Sequence, residues 1–67
     1  MRYTVYAPEL INDREQDLIT TDRLNMAESA ARGISIDWPS HTIEIYDNTQ
    51  NPENALVGQF INGRRIV

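Results

Sequence analysis

The sequence predicts a small α+β domain in which a single helix packs on one face of an antiparallel sheet of three to four strands, in the order β-α-β-β-β. Three observations predict this class. Residues 21–32 have the apolar spacing of an amphipathic helix, and residues 2–7 and 41–47 alternate apolar and polar side chains as strands do. Asn62-Gly63 is the dipeptide most typical of a two-residue hairpin. A helix and a sheet that each have one apolar face bury those faces by packing together in two layers.

The helix is predicted from apolar residues separated by three, four and three positions, namely Leu24, Ala27, Ala31 and Ile34. Residues at this spacing lie along one side of a helix. We expect this stripe to face the sheet, and we expect both Leu24 and Met26 to belong to the core. Because alanine is small, the helix is expected to lie close to the strands that it covers.

Both ends of the helix are predicted from flanking residues. Three side chains have oxygens that accept hydrogen bonds from the free N–H groups of a first helical turn: Thr20, Thr21 and Asp22. Asp22 and Arg32 also have the charges that the helix dipole favours at the start and the end. Gly33 is able to adopt the left-handed conformation that ends many helices, with Ile34 folding back onto the stripe. The helix is therefore expected at about residues 21–32.

The first strand is predicted at residues 2–7, which are rich in β-branched and aromatic side chains. One face has Tyr3, Val5 and Ala7, and the other has Arg2, Thr4 and Tyr6. Pro8 ends this strand or confines it to a sheet edge, since proline has no N–H to donate.

Residues 9–19 contain two apolar pairs, Leu10-Ile11 and Leu18-Ile19, on either side of a charged centre. This pattern fits a surface loop anchored at both ends, and it also fits a further strand that leads into the helix. The sequence leaves these two interpretations open. Loops held by a rigid scaffold often bind partners, so this segment is a candidate for function.

The second half of the chain predicts the remaining strands. In residues 41–47 Ile43 and Ile45 alternate with Thr42, Glu44 and Tyr46, which predicts the second strand. Residues 47–54 have the composition of a loop, and residues 55–61 predict the third strand. The turn at Asn62-Gly63 brings a short fourth strand, residues 64–67, back along it. Ile61 then faces Arg64 and Phe60 faces Arg65, a pattern that suits an exposed end of the sheet.

Composition limits the class of protein. The chain has 67 residues, no cysteine and a net charge of −4, with ten acidic residues against six arginines. Disulfides and cysteine-based zinc sites are excluded, and so small a core favours either a homodimer or a monomer that docks onto a larger molecule. We expect a cytoplasmic protein, because the sequence has neither a signal peptide nor an apolar span.

The acidic balance predicts the kind of partner. Because non-specific binding of a phosphate backbone depends on clustered cations, we expect no direct nucleic-acid binding. A positively charged surface on another protein is the better match. The simpler alternative is that the charge only keeps a small protein in solution. A small basic spot formed by Arg2, Arg64 and Arg65 beside Phe60 is the basis for a nucleic-acid-binding alternative.

Two patterns resemble catalytic or metal sites and fail on inspection. The residue types of a hydrolase triad occur together as Asp37, Ser40 and His41. On an extended stretch neighbouring side chains point to opposite faces, so no catalytic residues are assigned. Oxygen side chains at alternate positions resemble half of a calcium loop, namely Asp47, Thr49, Asn51 and Glu53. Pro52 and Gly58 occupy the positions where such a loop needs glycine and glutamate, so neither a metal nor a cofactor is assigned.

The single tryptophan, Trp38, has two interpretations. Pro39 disfavours a helical conformation at Trp38 and places it in a connection or an edge segment. Trp38 then either covers the open end of the small core or is exposed as an anchor for a partner, a role in which tryptophan is enriched.

The order of a strand, a helix that opens with Thr20-Thr21-Asp22-Arg23-Leu24-Asn25-Met26, and a hairpin resembles the layout of small phage proteins that block host machinery. These include anti-CRISPR proteins and phage inhibitors of host RNA polymerase, among which acidic domains poor in cysteine occur. The resemblance implies an inhibitor that acts by binding. It carries no diagnostic motif, so it assigns no functional residue.

The leading hypothesis is a non-enzymatic protein that binds a larger protein or ribonucleoprotein complex through a basic surface of that complex. The residues predicted to contact the partner are Asp13, Glu15, Asp17, Trp38 and Tyr46. The alternative is a structural or regulatory subunit that forms a homodimer through the third strand or the C-terminal hairpin.

Overall fold

The computed structural model describes residues 1–8 and 17–67, with the side chain of Asp17 outside that description. These residues form one α-helix, five strands and a short 3₁₀ helix at Pro52–Asn54. In chain order the α-helix and the strands are β1 (Tyr3–Tyr6), β2 (Asp17–Thr21), α1 (Leu24–Asp37), β3 (Ile43–Asp47), β4 (Leu56–Ile61) and β5 (Arg64–Arg65). The helix α1 packs on one face of the sheet, so the predicted two-layer α+β class is confirmed.

The sheet has the strand order β2-β1-β3-β4-β5, and every neighbouring pair is antiparallel. The predicted count of three to four strands and the predicted order are therefore wrong, because Asp17–Thr21 forms an additional strand before the helix. A strand that leads into the helix was one of the two interpretations left open for residues 9–19, and β2 is such a strand at Asp17–Thr21. A β-bulge makes its pattern ambiguous. Val5 pairs with Ile19 but Tyr6 pairs with Asp17, so Leu18 is an extra residue in a β-bulge that breaks the alternation of side chains.

The helix begins and ends later than predicted. It spans Leu24–Asp37 instead of residues 21–32, and Arg23 occupies the N-cap position without a side-chain hydrogen bond. Two of the three expected capping oxygens bind N–H groups outside the first helical turn: Thr21 Oγ1 accepts from the backbone N–H of Arg23 at 3.2 Å, and Asp22 Oδ1 accepts from the backbone N–H of Arg2 at 3.0 Å.

Gly33 does not end the helix but lies within it. The turn that follows Gly33 contains Ser35, which is buried, and its hydroxyl accepts a hydrogen bond from the backbone N–H of Gly63 at 2.8 Å. This tertiary contact stabilises the continued helix and outweighs the low helix propensity of glycine. Trp38 takes the C-cap position, and its N–H donates to the carbonyl of Ile34 at 3.0 Å.

The core lies between the helix and the sheet. Its buried apolar residues are Tyr3, Val5, Ala7, Ala27, Ala31, Ile43, Ile45 and Phe60. The prediction that Ala27 and Ala31 face the sheet is confirmed. Leu24 and Met26 were expected in the core, yet they are 38% and 56% exposed. The buried residues of the helix are instead Ala27, Ala31 and Ser35, at a spacing of four. The first turn of the helix therefore lies at the edge of the core.

The C-terminal hairpin has the predicted geometry. Asn62 and Gly63 both have positive φ angles, 50° and 77°, as the central residues of a type I′ turn do. Phe60 pairs with Arg65 and Ile61 with Arg64, as expected. The predicted exposed sheet end is wrong for Phe60, which is fully buried in the core between the helix and the sheet. The guanidinium groups of Arg32 and Arg65 lie 5.3 and 5.7 Å from its ring centroid.

The one helix within residues 1–8 and 17–67 has 14 residues and an apolar stripe on one side only, so it does not span a lipid bilayer.

Candidate binding face of the sheet

The alternation of side chains gives the sheet two different faces. In β3, Ile43, Ile45 and Asp47 are buried on the side of the helix, whereas Glu44 and Tyr46 are half-buried on the other side. The register between strands places Thr4 opposite Tyr46, and both Tyr6 and Gln59 opposite Glu44. Directly paired residues share a face. We call the face away from the helix the tyrosine face, and it comprises Thr4, Tyr6, Glu44, Tyr46 and Gln59.

The carboxylate of Glu44 is held at the centre of the tyrosine face. The hydroxyl of Tyr46 donates to Oε1 of Glu44 at 2.8 Å, and Nε2 of Gln59 donates to Oε2 at 3.0 Å. The ring of Tyr6 packs edge-to-face on Tyr46, with 6.0 Å between the ring centroids. Within the described part of the chain no arginine forms an ion pair with Glu44. Among the described residues, its charge is therefore fixed by two neutral donors.

On the other face of the sheet, the carboxylate of Asp47 forms an ion pair and several hydrogen bonds. Asp47 is buried, and its two oxygens accept hydrogen bonds from Nε and Nη2 of Arg2 at 3.3 and 3.2 Å. The backbone N–H and the hydroxyl of Thr49 also donate to Oδ1. The hydrogen bonds from Arg2 and then Thr49 lower the pKa of Asp47 from 3.8 to about 2.

These hydrogen bonds also distinguish this segment from the calcium loop that its sequence resembles. Asp47 was the first residue of that pattern, and its oxygens are already occupied by Arg2 and Thr49. Pro52–Asn54 forms a 3₁₀ helix instead of a ligand loop. Within residues 1–8 and 17–67, histidine and carboxylate side chains do not gather in a group of three or more.

Ser40 and His41 differ from the prediction. Ser40 Oγ lies 3.2 Å from Nδ1 of His41, because this segment is a turn and not an extended stretch. The expectation that these side chains point apart is therefore wrong. Asp37 has no hydrogen bond to His41 in the described structure, and the hydrogen-bonded pair is exposed at the surface. A serine–histidine contact without an orienting group is not the arrangement of a triad.

The structure brings together only some of the predicted partner-binding residues. Tyr46 lies on the tyrosine face. Trp38 follows the helix, which covers the opposite face of the sheet, and Trp38 is 51% exposed and packs its ring against His41. The structure thus favours the exposed interpretation of Trp38, which lies at the C-cap of the helix and not on a strand of the tyrosine face. The backbone of Asp17 pairs with Tyr6 at the start of β2, whereas Asp13 and Glu15 lie outside the described residues.

Sequence reasoning missed Tyr6, Glu44 and Gln59. Alternation alone assigns Tyr6 to the polar side of β1 and Glu44 to the polar side of β3. What it does not provide is the register that places these two residues directly opposite each other. That register is set by contacts between strands about forty residues apart in sequence, which no local pattern records.

The predicted basic spot is assembled differently. Arg65 lies beside Phe60, as expected, but the second guanidinium over that ring belongs to Arg32 of the helix. Arg65 also forms an ion pair with Glu28 and donates from Nη2 to the carbonyl of Val57 at 2.7 Å. Arg2 is paired with Asp47 at the other end of the strands. The three arginines of the prediction therefore do not form one basic surface, which weakens the nucleic-acid alternative.

No protein-family model matches the chain, and no match was found among the curated proteins or the solved structures. The proposed function is therefore argued from the tyrosine face and the charge of Glu44.

Proposed function

We propose that this protein is a non-enzymatic binding protein that docks its tyrosine face onto a basic surface of a larger protein or ribonucleoprotein complex. The observation that supports the proposal is the carboxylate of Glu44, which Tyr46 and Gln59 fix and which forms no ion pair with any arginine of the described residues. A half-buried charge of this kind complements a positive charge on a partner. By docking there, the protein blocks the surface that it covers, as the small phage inhibitors with a similar layout do.

The aromatic side chains of this face suit an interface between proteins. Tyrosine gives a large apolar contact area together with a polar hydroxyl, and it is enriched at the centres of such interfaces. Tyr6 and Tyr46 pack on each other, so their rings are already ordered before a partner arrives. Ordering in advance reduces the entropy that binding costs.

Self-association through β4, the third strand of the prediction, is not supported. This strand lies between β3 and β5, so it has no free edge with which to extend a sheet. β5 does lie at an edge, but its two residues are Arg64 and Arg65. A symmetric pairing of two such strands brings like charges together, which is unfavourable. Docking of the tyrosine face is therefore the better-supported function.

The experiment is a capture assay with the full chain. Tagged wild-type protein is incubated with nuclease-treated bacterial lysate, and retained proteins are identified by mass spectrometry. The deciding comparison is with Glu44→Gln, which keeps the size and the hydrogen-bonding capacity of the side chain but removes its charge. The matched control is Glu53→Gln, the same change at an exposed residue of the 3₁₀ helix.

We expect a stoichiometric partner that wild type and Glu53→Gln retain equally and that Glu44→Gln retains about tenfold less, since loss of one interfacial charge pair costs at least about 1.4 kcal/mol. Inhibition is then tested by adding the protein to an activity assay of that partner. Equal retention by Glu44→Gln and wild type would contradict the proposal.

The three acidic residues predicted to contact the partner are tested separately. Reversing Asp13, Glu15 and Asp17 to lysine is expected to weaken capture and to flatten its dependence on salt, because long-range attraction is screened by ions. Unchanged capture by this triple variant, together with loss of capture by Glu44→Gln, would restrict the contact to the tyrosine face.

A further inference from the structure

The hairpin turn contains the only asparagine of the chain that is followed by glycine, Asn62 before Gly63. In such a pair the backbone nitrogen of the glycine can attack the side-chain amide of the asparagine, because glycine has no side chain to hinder the approach. Every other asparagine of the sequence precedes a residue with a side chain. The side chain of Asn62 is also exposed to water. Asn62 is therefore the candidate position for spontaneous deamidation.

The reaction joins the two residues in a succinimide ring. The nitrogen of Gly63 loses its proton and forms a bond to Cγ of Asn62, while the bond from Cγ to the amide nitrogen breaks and ammonia leaves with that proton. Water then opens the ring at one of its carbonyl carbons. Attack at Cγ gives aspartate, and attack at the backbone carbonyl carbon gives isoaspartate. Water is the only co-reactant, and nothing is oxidised or reduced.

The folded structure opposes the ring closure in two ways. The N–H of Gly63 donates to the hydroxyl of Ser35 at 2.8 Å, so the attacking nitrogen is held with its proton. Asn62 has a φ of 50°, in the left-handed region where ψ is about +30° to +60°. At that ψ the nitrogen of the next residue lies on the far side of the Cα–C bond from Cβ, whereas the ring requires both on one side.

The helix holds the turn in this conformation. Ser35 is fully buried, and Nε of Arg32 donates to the carbonyl of Gly63 at 3.3 Å. Ile36 of the same helix lies against the α-carbon of Gly63, where an added Cβ would be 2.9 Å from Cγ1 of Ile36. Rotation at Asn62 that brings the reacting atoms together therefore requires the hairpin to leave the helix. Local opening of this kind at the end of a sheet needs less free energy than complete unfolding.

We infer that Asn62 is a modification site controlled by Ser35: it is inert while Gly63 is hydrogen-bonded to the helix, and it deamidates when the hairpin detaches. This inference does not depend on the proposed function.

The two products affect the hairpin differently. Aspartate preserves the turn, because Asp-Gly is also typical of a type I′ turn. Isoaspartate adds one carbon atom to the backbone, so the chain no longer fits a two-residue turn. The isoaspartyl form is therefore expected to lose the pairing of Phe60 with Arg65 and to have a lower urea midpoint than the variant Asn62→Asp.

The test follows deamidation of the full chain in mildly alkaline buffer. Peptide mapping by chromatography and mass spectrometry separates asparagine, aspartate and isoaspartate at position 62. Wild type is compared in the folded state and in urea. We expect Asn62 to be lost in urea and to be lost at least about tenfold more slowly in the folded protein, because only open chains react.

The variant Ser35→Ala tests control by the helix. We expect folded Ser35→Ala to lose Asn62 about tenfold faster than wild type, which corresponds to about 1.4 kcal/mol for the lost hydrogen bond. The matched control is Asp47→Asn, which weakens the fold at the other end of the strands without contact with the turn. Hydrogen exchange at the N–H of Gly63 in wild type measures the opening without a substitution, and this exchange is expected to be slow.

Four results would overturn the inference. Asn62 that survives in urea is not a modification site, and equal rates in folded and unfolded wild type contradict protection by the fold. Fast hydrogen exchange at Gly63 contradicts the hold of the helix on the turn. An Asp47→Asn variant that reacts as fast as Ser35→Ala shows that the reaction follows general stability and not the contact of Ser35 with Gly63.

Discussion

Ser35 on the helix is hydrogen-bonded to Gly63 in the hairpin turn, with 2.8 Å between the serine hydroxyl and the backbone nitrogen. The same hydroxyl donates to the carbonyl of Arg32 at 2.8 Å, and Nε of Arg32 donates to the carbonyl of Gly63 at 3.3 Å. Both backbone polar groups of Gly63 are therefore satisfied by the helix. The turn at Asn62-Gly63, which reverses the chain into β5, is therefore fixed to the helix.

Replacing Ser35 by alanine is expected to destabilise the protein by about 1–3 kcal/mol, because the N–H of Gly63 loses its partner next to the core. The measurement is the midpoint of urea unfolding. The matched control is Ser29→Ala, an exposed position of the same helix, where we expect a change within about 0.5 kcal/mol. A Ser35→Ala variant as stable as the control would show that this contact contributes little.

Replacing Gly33 by alanine is expected to stabilise the protein by about 0.5–1 kcal/mol. Gly33 lies within the helix, and a Cβ atom added there has no other atom within 4 Å. Alanine therefore adds helix propensity and removes flexibility from the unfolded chain without a clash. The urea midpoint should rise. A lower midpoint would mean that the helix does not continue through this residue.

The opposite result is expected for Gly63→Ala. Gly63 has a φ of +77°, and an added Cβ would lie 2.9 Å from Cγ1 of Ile36. The left-handed conformation alone costs an alanine about 1–2 kcal/mol, and the close contact adds to it. The pair of glycine variants thus shifts the urea midpoint in opposite directions, and equal shifts of one sign would contradict the assignment of helix and turn.

Acid is expected to remove the stabilisation that comes from the ion pair of Arg2 with Asp47. The pKa of Asp47 is about 2 in the folded protein, below its ordinary value of 3.8. A carboxyl group with a lowered pKa stabilises the fold above its ordinary pKa, and this contribution is lost as pH falls from about 4 towards 2. Urea unfolding of wild type across this range should show the loss.

The comparison for the acid experiment is Asp47→Asn, which has no carboxyl group to protonate at this position. We expect this variant to be less stable than wild type at neutral pH and to lose less stability between pH 4 and pH 2. Arg2→Gln should behave similarly, because it removes the cation that lowers the pKa. Parallel losses in wild type and both variants would contradict the role of this ion pair.

Trp38 is expected to be accessible to water both before and after a partner binds the tyrosine face. It is the only tryptophan in the chain, is 51% exposed, and lies at the C-cap of the helix that packs on the opposite face of the sheet from the tyrosine face. Acrylamide should therefore quench its fluorescence efficiently, and the captured partner should not reduce that quenching. Protection of Trp38 on binding would place the interface on the other side of the molecule.

The class of the fold was predictable because each signal was local. The alternation of β1 and β3 and the Asn62-Gly63 turn depend only on neighbours in sequence, and the structure confirms them. The helix was predicted in the right region, but both of its ends lie further along the chain than predicted. Gly33 is a sound local stop signal, and tertiary contacts outweigh it: Ile34 packs against the core and Ser35 is hydrogen-bonded to a turn 28 residues away.

The candidate site was less predictable than the fold. Tyr46 was selected as an aromatic anchor, but the rest of the site comes from other strands. Tyr6 packs on its ring from β1, and Gln59 of β4 donates to the same Glu44 carboxylate, so the position of both depends on register. The bulge at Leu18 made β2 ambiguous for a related reason, because one additional residue changes the face on which every later side chain lies. A site formed by three strands is recognised only when their pairing is known.

The position of β1 within the sheet has a consequence for synthesis of the chain. β1 is made first, yet it lies between β2 and β3, and the core joins Val5 near one end of the sequence to Phe60 near the other. Because translation proceeds from the N-terminus, the apolar side of β1 remains without its central neighbour until residues 43–47 have emerged from the ribosome. The domain therefore completes its fold only after nearly all of these residues have been translated, and a nascent chain that stalls before β4 would expose Val5 and Ile45 to other proteins.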